Sequence, residues 1–295
     1  MTTGNPAAPD YVAIGHVTVD LLPDGRQVLG GTALYAALTA ARFGLHAAVL
    51  TRGNFGAYNP NVLEDLTRFA REIAIIVQEA TSATVFANRT VAGRREQTLH
   101  GWAGVIDLNG LPPTWRSARI IHLAPVAQEI DPRQAGRLTP EYLGVTPQGW
   151  MRQWPRALPG RVRLTPLRLP LELLSHIDGL VLNAEEHTLA RDEIEAVSRR
   201  GLVAITRGPD GAQLIDRGRV YDIPAYAVPV ADDVGAGDVF ASVLFLLRAD
   251  REPVSFAGRM AAAAAALRIQ GQGPDAVPTR AAVEEFLERR GDLRR

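Results

Sequence analysis

The densest chemical signal in the chain is the run Asp232, Asp233, Val234, Gly235, Ala236, Gly237, Asp238, which is followed by apolar residues at nearly every position to 247. Two glycines separated by one alanine permit a tight turn and a close approach of backbone to a ligand. The apolar run predicts a helix over 237–248. The first N–H groups of such a helix lack intrahelical partners and form an anion site, which a phosphate group fits. Asp238 has two readings. Taken alone, it is an acid satisfying the helix dipole. Beside a phosphate, it is a base for a hydroxyl that attacks phosphorus. The dipole makes it a weak base, which a loose phosphoryl-transfer transition state tolerates. A dinucleotide-binding loop is the competing Gly-rich reading. It wants a third glycine where residue 240 is Phe, and it opens a chain rather than standing late in it.

The elements that must position this turn alternate along the chain. Short apolar runs at 11–15, 47–50, 73–77, 120–123, 143–145, 179–182 and 202–206 predict buried strands. Helical patterns fall at 32–43, with Gly44 as C-cap, and at 63–71, 255–269 and 279–289, with Thr279 as N-cap. Strands alternating with helices predict parallel βαβ units, hence a doubly wound, mostly parallel three-layer α/β/α domain spanning 1–295. Residues 83–101, rich in Thr and Val around Ala92-Gly93, predict a hairpin outside that alternation. With 16–30 it is expected to form a small β lid. Residues 212–216 and 219–223 predict a second hairpin through Arg217-Gly218. The stretch 125–170, rich in Pro and Arg, fits no element.

Composition narrows the chemistry. The 295 residues are 46% hydrophobic and 22% charged, with zero formal net charge and interspersed signs. Neither a nucleic acid nor a membrane surface is expected as partner. There is no cysteine, which excludes thiolate nucleophiles, Cys-ligated metals and disulfides. All 32 basic residues are arginine. Without lysine, neither a Walker A P-loop nor a Schiff base can operate. No targeting segment stands out at the N-terminus, so a cytoplasmic protein is expected. His16 and His122 lie at a strand end and within an apolar strand, where structural roles are the simpler reading. No histidine pair has metal-ligand spacing.

Five motifs in order carry a resemblance. The chain is similar to the ribokinase-like (PfkB) carbohydrate kinases over nearly its full length. Asp20 follows the first strand, and Gly30-Gly31 precede the helix 32–43. Asn183-Ala184-Glu185-Glu186 follows the strand 179–182. Thr206-Arg207-Gly208-Pro209-Asp210-Gly211 follows the next strand, and 232–238 opens the late helix. The resemblance implies ATP as phosphoryl donor and a hydroxyl of a sugar, cyclitol or nucleoside as acceptor. It implies Asp238 as catalytic base, with the N–H groups of Gly235, Ala236 and Gly237 holding the charge on the transferring group. Asn183 and Glu186 would organise Mg²⁺ through water; outside the motif they are a helix cap and a solvated acid. Thr206, Gly208, Gly211, Gly271 and Gly273 would line the nucleotide, and Asp232 would serve a monovalent cation such as K⁺. Asp20, Gly30, Gly31 and Tyr35 would bind the acceptor, covered by Phe86 and Asn88 of the lid. A lid completed by a neighbouring subunit makes a homodimer an expectation as well.

Two departures from the family pattern stand out. Tyr35 replaces an Asn that touches the sugar, which opens the choice of substrate. Asp233 and Val234 replace a Thr pair, which leaves backbone carbonyls for any monovalent cation. The stretch 145–152 looks like that of the inositol kinases of the family. A nucleoside acceptor and a non-catalytic ligand-binding relative are the alternatives to a sugar or cyclitol kinase.

Overall fold

The computed structural model describes residues 8–56, 59–91 and 94–293. The strands Tyr11–Ile14, Ile120–Leu123 and Tyr142–Val145 are buried at every position. Strands that bury both faces belong to parallel sheets covered by helices. Here the sheet has nine strands, in the order Arg219–Ile223, Ala212–Asp216, Leu202–Thr206, Gly179–Asn183, Tyr142–Val145, Ile120–Leu123, Tyr11–Ile14, Ala47–Arg52, Ala74–Gln78. The first two join as an antiparallel hairpin and the others run parallel. Side chains alternate between two cores. Tyr11 and Ala13 face the layer of the helices Thr32–Arg42, Ala236–Ala249 and Val254–Arg268, while Val12 and Ile14 face Trp115, Ile130 and Val197. This is the doubly wound three-layer arrangement expected from the alternation.

The chain order reverses beside Tyr11–Ile14. The first crossovers lead to Ala47–Arg52 and Ala74–Gln78, and the chain then returns to Ile120–Leu123 on the other side. Loops leaving the strand ends diverge at such a reversal and open a crevice.

A second sheet has five strands, in the order Gly160–Arg161, Arg94–Gly101, Thr84–Val91, Thr18–Leu21, Gln27–Gly30. It contains the two segments expected for the lid, plus a short strand from the stretch that matched no element. The expected turn at Ala92-Gly93 lies outside the described residues. Two other expectations shift. The helix expected from residue 63 is Pro60–Phe69, because Asn59 caps it by accepting the Asn61 N–H and Pro60 presets its first turn. The strand Ala74–Gln78, expected to be buried, is half-exposed because it forms the sheet edge. Among the described residues no helix is long and apolar enough to cross a membrane.

Candidate active site

Gly235 adopts φ 82°, in the left-handed region, and caps the helix Ala236–Ala249. The turn before it is wound by Asp232, whose Oδ1 accepts the Val234 N–H at 3.0 Å. Glycine at 235 has a second cause. A Cβ there would stand 2.6 Å from the ring of Tyr35. Nothing lies within 4 Å of the place a Cβ on Gly237 would take, so that side of the turn is open. Asp238 follows in the first helical turn, half-buried, and its charge reaches Tyr11 and Glu186.

Beneath the turn sits Arg268, 0% exposed. Its guanidinium donates to Asp232 Oδ2 at 2.9 Å, to the Tyr35 hydroxyl at 3.2 Å and to the Gly271 carbonyl at 3.0 Å. The Gly273 N–H adds a bond to Asp232 Oδ2 at 3.1 Å. Burial pushes the Asp232 carboxyl up. The Val234 and Gly273 amides and the Arg268 guanidinium outweigh it and hold the acid below the usual carboxylate range. The carboxylate expected to serve a monovalent cation therefore holds a guanidinium. Gly271 and Gly273, expected along the nucleotide, bond to Arg268 and Asp232 respectively. Sequence reasoning missed Arg268, the arginine that ends the alanine-rich helix Val254–Arg268.

On one side of the turn lies a cavity of about 520 Å³. Thr206, Gly208 and Gly211 form one wall, and Ala236 and Gly237 form another. Tyr226, Val228, Val230, Ala262, Ala266 and Ile269 make the rest largely apolar. At Gly211, with φ 83°, a side chain would run into the Ile223 carbonyl. The size and the apolar walls suit a nucleoside-sized ligand.

On the other side lie the expected acceptor residues. Gly31, with φ 93°, starts the helix Thr32–Arg42 where a side chain would collide with the His16 carbonyl. A Cβ on Gly30 would stand 2.6 Å from Asp20 Oδ2. The half-buried Asp20 carboxylate accepts the Thr18 hydroxyl at 3.2 Å. Phe86 and Asn88 lie on the lid strand Thr84–Val91, with Phe86 paired opposite Asp20. Phe86 is buried with Leu99, Val126 and Ala127, with the Arg152 guanidinium 5.3 Å from its ring centre. Asn88 Oδ1 accepts the Gln97 side-chain amide at 3.0 Å. Both residues knit the lid together.

Asn183 and Glu186 form a capping box. Asn183 Oδ1 accepts the Glu185 and Glu186 N–H groups at 2.9 and 2.8 Å, and Glu186 Oε2 accepts the Asn183 N–H at 3.0 Å. Neither lines the nucleotide cavity. Glu186 is buried, and desolvation raises its pKa despite help from the Asn183 amide, the Arg152 charge and the Gln148 side chain. The Asp238 charge raises it further. Gln148 and Arg152, from the stretch 145–152, thus face the same space as Glu186 and Asp238.

The root of the lid is held by buried polar groups. The Glu129 carboxylate, 0% exposed, accepts the N–H groups of His16, Val126 and Ala127 at 2.8, 2.9 and 2.6 Å. His16 Nδ1 lies 2.8 Å from the Thr84 hydroxyl. His122 bridges the Tyr11 and Thr146 hydroxyls, and burial lowers its pKa to about 3. Both histidines are structural.

Comparison with known proteins agrees with the fold. Residues 145–280 match the pattern of the pfkB family carbohydrate kinase. A 2-dehydro-3-deoxygalactonokinase from Haloferax volcanii is 39% identical over 90 residues, 30% of this chain and 28% of that one. An ATP-dependent ribose-1-phosphate kinase from Halopiger xanaduensis is 34% identical over 125 residues, 41% of this chain and 42% of that one. The matched segments therefore span less than half of these relatives. Solved structures extend the likeness of fold to nearly the whole chain. A pyrophosphate-dependent kinase in the ribokinase family, complexed with a pyrophosphate analogue and myo-inositol, superposes with a TM-score of 0.76 at 18% identity, covering 93% of this chain and 99% of that one. Arabidopsis thaliana ribokinase, complexed with ribose and ATP, superposes with a TM-score of 0.71 at 19% identity, covering 96% and 99%.

Proposed function

We propose that this protein, whose residues 145–280 belong to the pfkB family of carbohydrate kinases within a ribokinase-like fold, transfers the γ-phosphoryl group of ATP to a hydroxyl of a sugar or cyclitol. One observation carries the reading. The turn Gly235 to Gly237 is shared by two surfaces: Ala236 and Gly237 line the nucleotide-sized cavity, and Gly235 abuts Tyr35 on the acceptor side.

The chain's own groups then divide the work. The cavity seats the nucleoside and points its phosphates at the helix start. The N–H groups of the turn hold the charge on the phosphoryl oxygens. Asp20 accepts hydroxyl hydrogen bonds and orients the acceptor. Asp238 takes the proton as the acceptor oxygen bonds to phosphorus and the bond to the β-phosphate oxygen breaks, leaving ADP. Glu186 and Asn183 fit Mg²⁺ only through its waters. Their oxygens already bind backbone amides, and among the described residues no group of three or more His, Asp or Glu side chains could hold a metal. When bound, the ion would neutralise charge between the phosphates.

Two features favour this reading over its alternatives. A nucleoside acceptor would need a free aromatic face, but Tyr35 is pressed between Gly235 and Arg268, and Phe86 is packed inside the lid. Pyrophosphate as donor, the reading suggested by the myo-inositol-bound neighbour, would leave the apolar cavity without a purpose.

The test is an ATP-consumption screen of the full chain against sugars, sugar acids, sugar phosphates, cyclitols and nucleosides, with pyrophosphate run in parallel. Asp238→Asn should lower kcat about 10²–10⁴-fold with ATP binding retained. Undiminished turnover in that variant overturns the assignment of the base.

A further inference from the structure

The opposite end of the main sheet's strands holds a second basin, of about 400 Å³. It lies where parallel strands begin: Tyr142 and Leu202 open their strands there, at the far end from the nucleotide cavity. Arg119, Arg200, Arg217, Arg248 and Arg251 line it. The carboxylates in its wall are Glu141, Asp178 and Asp216, so five arginines and three acids line it; Asp178 also accepts the Leu143 N–H, and Arg200, Arg217 and Arg248 also donate to backbone carbonyls. Asp250, just outside, pairs with Arg119, and the positive excess persists after it is counted. The Arg251 side chain has no ion-pair partner among the described residues. Arg217 and Arg251 are both held at positive φ, 48° and 62°, which non-glycine residues seldom adopt.

A second, independent observation comes from Tyr142. It lines the basin and is 9% exposed, its ring packs against Phe245, and its hydroxyl is buried without a hydrogen-bond partner among the described residues. Buried hydroxyls in native proteins are almost always satisfied, and an orphan calls for an explanation. The charges that act on it are those of Asp178, Arg248 and Asp216, which line the basin, and of Tyr11, which is buried in the core beside it.

We propose that this basin is a binding site for a small phosphorylated polyol. Planar guanidinium forks match the oxygens of a phosphate group. The carboxylates accept hydroxyl hydrogen bonds from the polyol part, and the Tyr142 hydroxyl gains a partner. A purely anionic ligand would leave Asp178 and Asp216 unfavourably placed. The helix Ala236–Ala249 ends in this wall at Ala249 and begins at the phosphoryl-binding turn, so one rigid rod touches both sites.

The test is calorimetric titration of the full chain with inorganic phosphate, sn-glycerol 3-phosphate, ribose 5-phosphate and neutral ribose. A non-hydrolysable ATP analogue and saturating polyol block the first cavity. The heats do not depend on turnover, so this result stands apart from the kinase assignment. The phosphorylated polyols should bind at least tenfold more tightly than inorganic phosphate, and neutral ribose should not bind. Arg217→Gln with Arg251→Gln should weaken both phosphopolyols at least tenfold. Asp216→Asn should weaken the phosphopolyols and spare inorganic phosphate. Equal affinity for inorganic phosphate removes the polyol part. No binding of any probe, or binding that survives the arginine changes, overturns the site.

Discussion

Tyr35 and Gly235 are fitted to each other across 200 residues of chain: the tyrosine ring fills the space that any side chain at 235 would need, 2.6 Å from its Cβ position. Gly235 is also held at φ 82°. Gly235→Ala meets both obstacles, a strained backbone and a steric clash. We expect it to cost about 1–3 kcal/mol of stability and to lower kcat by displacing the anion-binding amides. Chemical denaturation and steady-state kinetics check this. Wild-type stability and kcat in the variant would show that the contact does not shape the turn.

Arg268 is buried and pairs with Asp232, whose side chain is a quarter exposed. Arg268→Met leaves the carboxylate without its cation and should cost about 1–3 kcal/mol, less than breaking a fully buried pair. Lysine cannot reproduce bonds to Asp232, Tyr35 and Gly271 together, so Arg268→Lys should recover only part of that loss. Because a guanidinium occupies Asp232, turnover should be the same in potassium, sodium and tetramethylammonium buffers. Several-fold activation by potassium would show that a metal ion completes this corner.

Desolvation raises the folded-state pKa of Glu186. An acid whose pKa is raised on folding binds more protons in the native state, so stability falls as pH rises from the ordinary value through the folded one. Glu186→Gln removes that loss and preserves the capping box, which accepts Gln at this position. The variant should melt higher than the parent at neutral pH, with the difference vanishing as pH falls to about 4.5. Its turnover should drop through lost ordering of the phosphate waters. Melting curves across that range decide it, and a pH-independent difference would contradict the buried-charge account.

Ala265 faces the apolar cavity. Ala265→Leu fills part of the space assigned to the nucleoside. The KM for ATP should rise about tenfold, the scale on which one or two methylenes are discriminated in a pocket. An unchanged KM would place the nucleoside elsewhere.

Much of this architecture was legible because it is local. The hairpin Ala212–Asp216 and Arg219–Ile223 falls where Arg217-Gly218 predicts it, and Thr279 caps its helix by accepting the Ala282 N–H. The glycine-rich turn was equally plain, because conformation and composition coincide there. What escaped was long-range. Arg268 meets Asp232 from 36 residues away, and nothing in the alanine-rich helix signals that meeting. The cavity wall at Tyr226, Val228 and Val230 comes from an extended segment with no secondary structure and so no period to detect. Phe86 read as a cover for the substrate because its hairpin was legible, while its packing partners Val126 and Ala127 lay in a stretch that was not.

The buried carboxylate of Glu129 has a mechanical consequence. It clamps the backbone at His16 to that at Val126 and Ala127, and the His16 ring reaches Thr84 of the lid hairpin. The small sheet and the crevice beside Gly15 therefore share one anchor: a change that loosens this carboxylate shifts the cover and the floor of the site together.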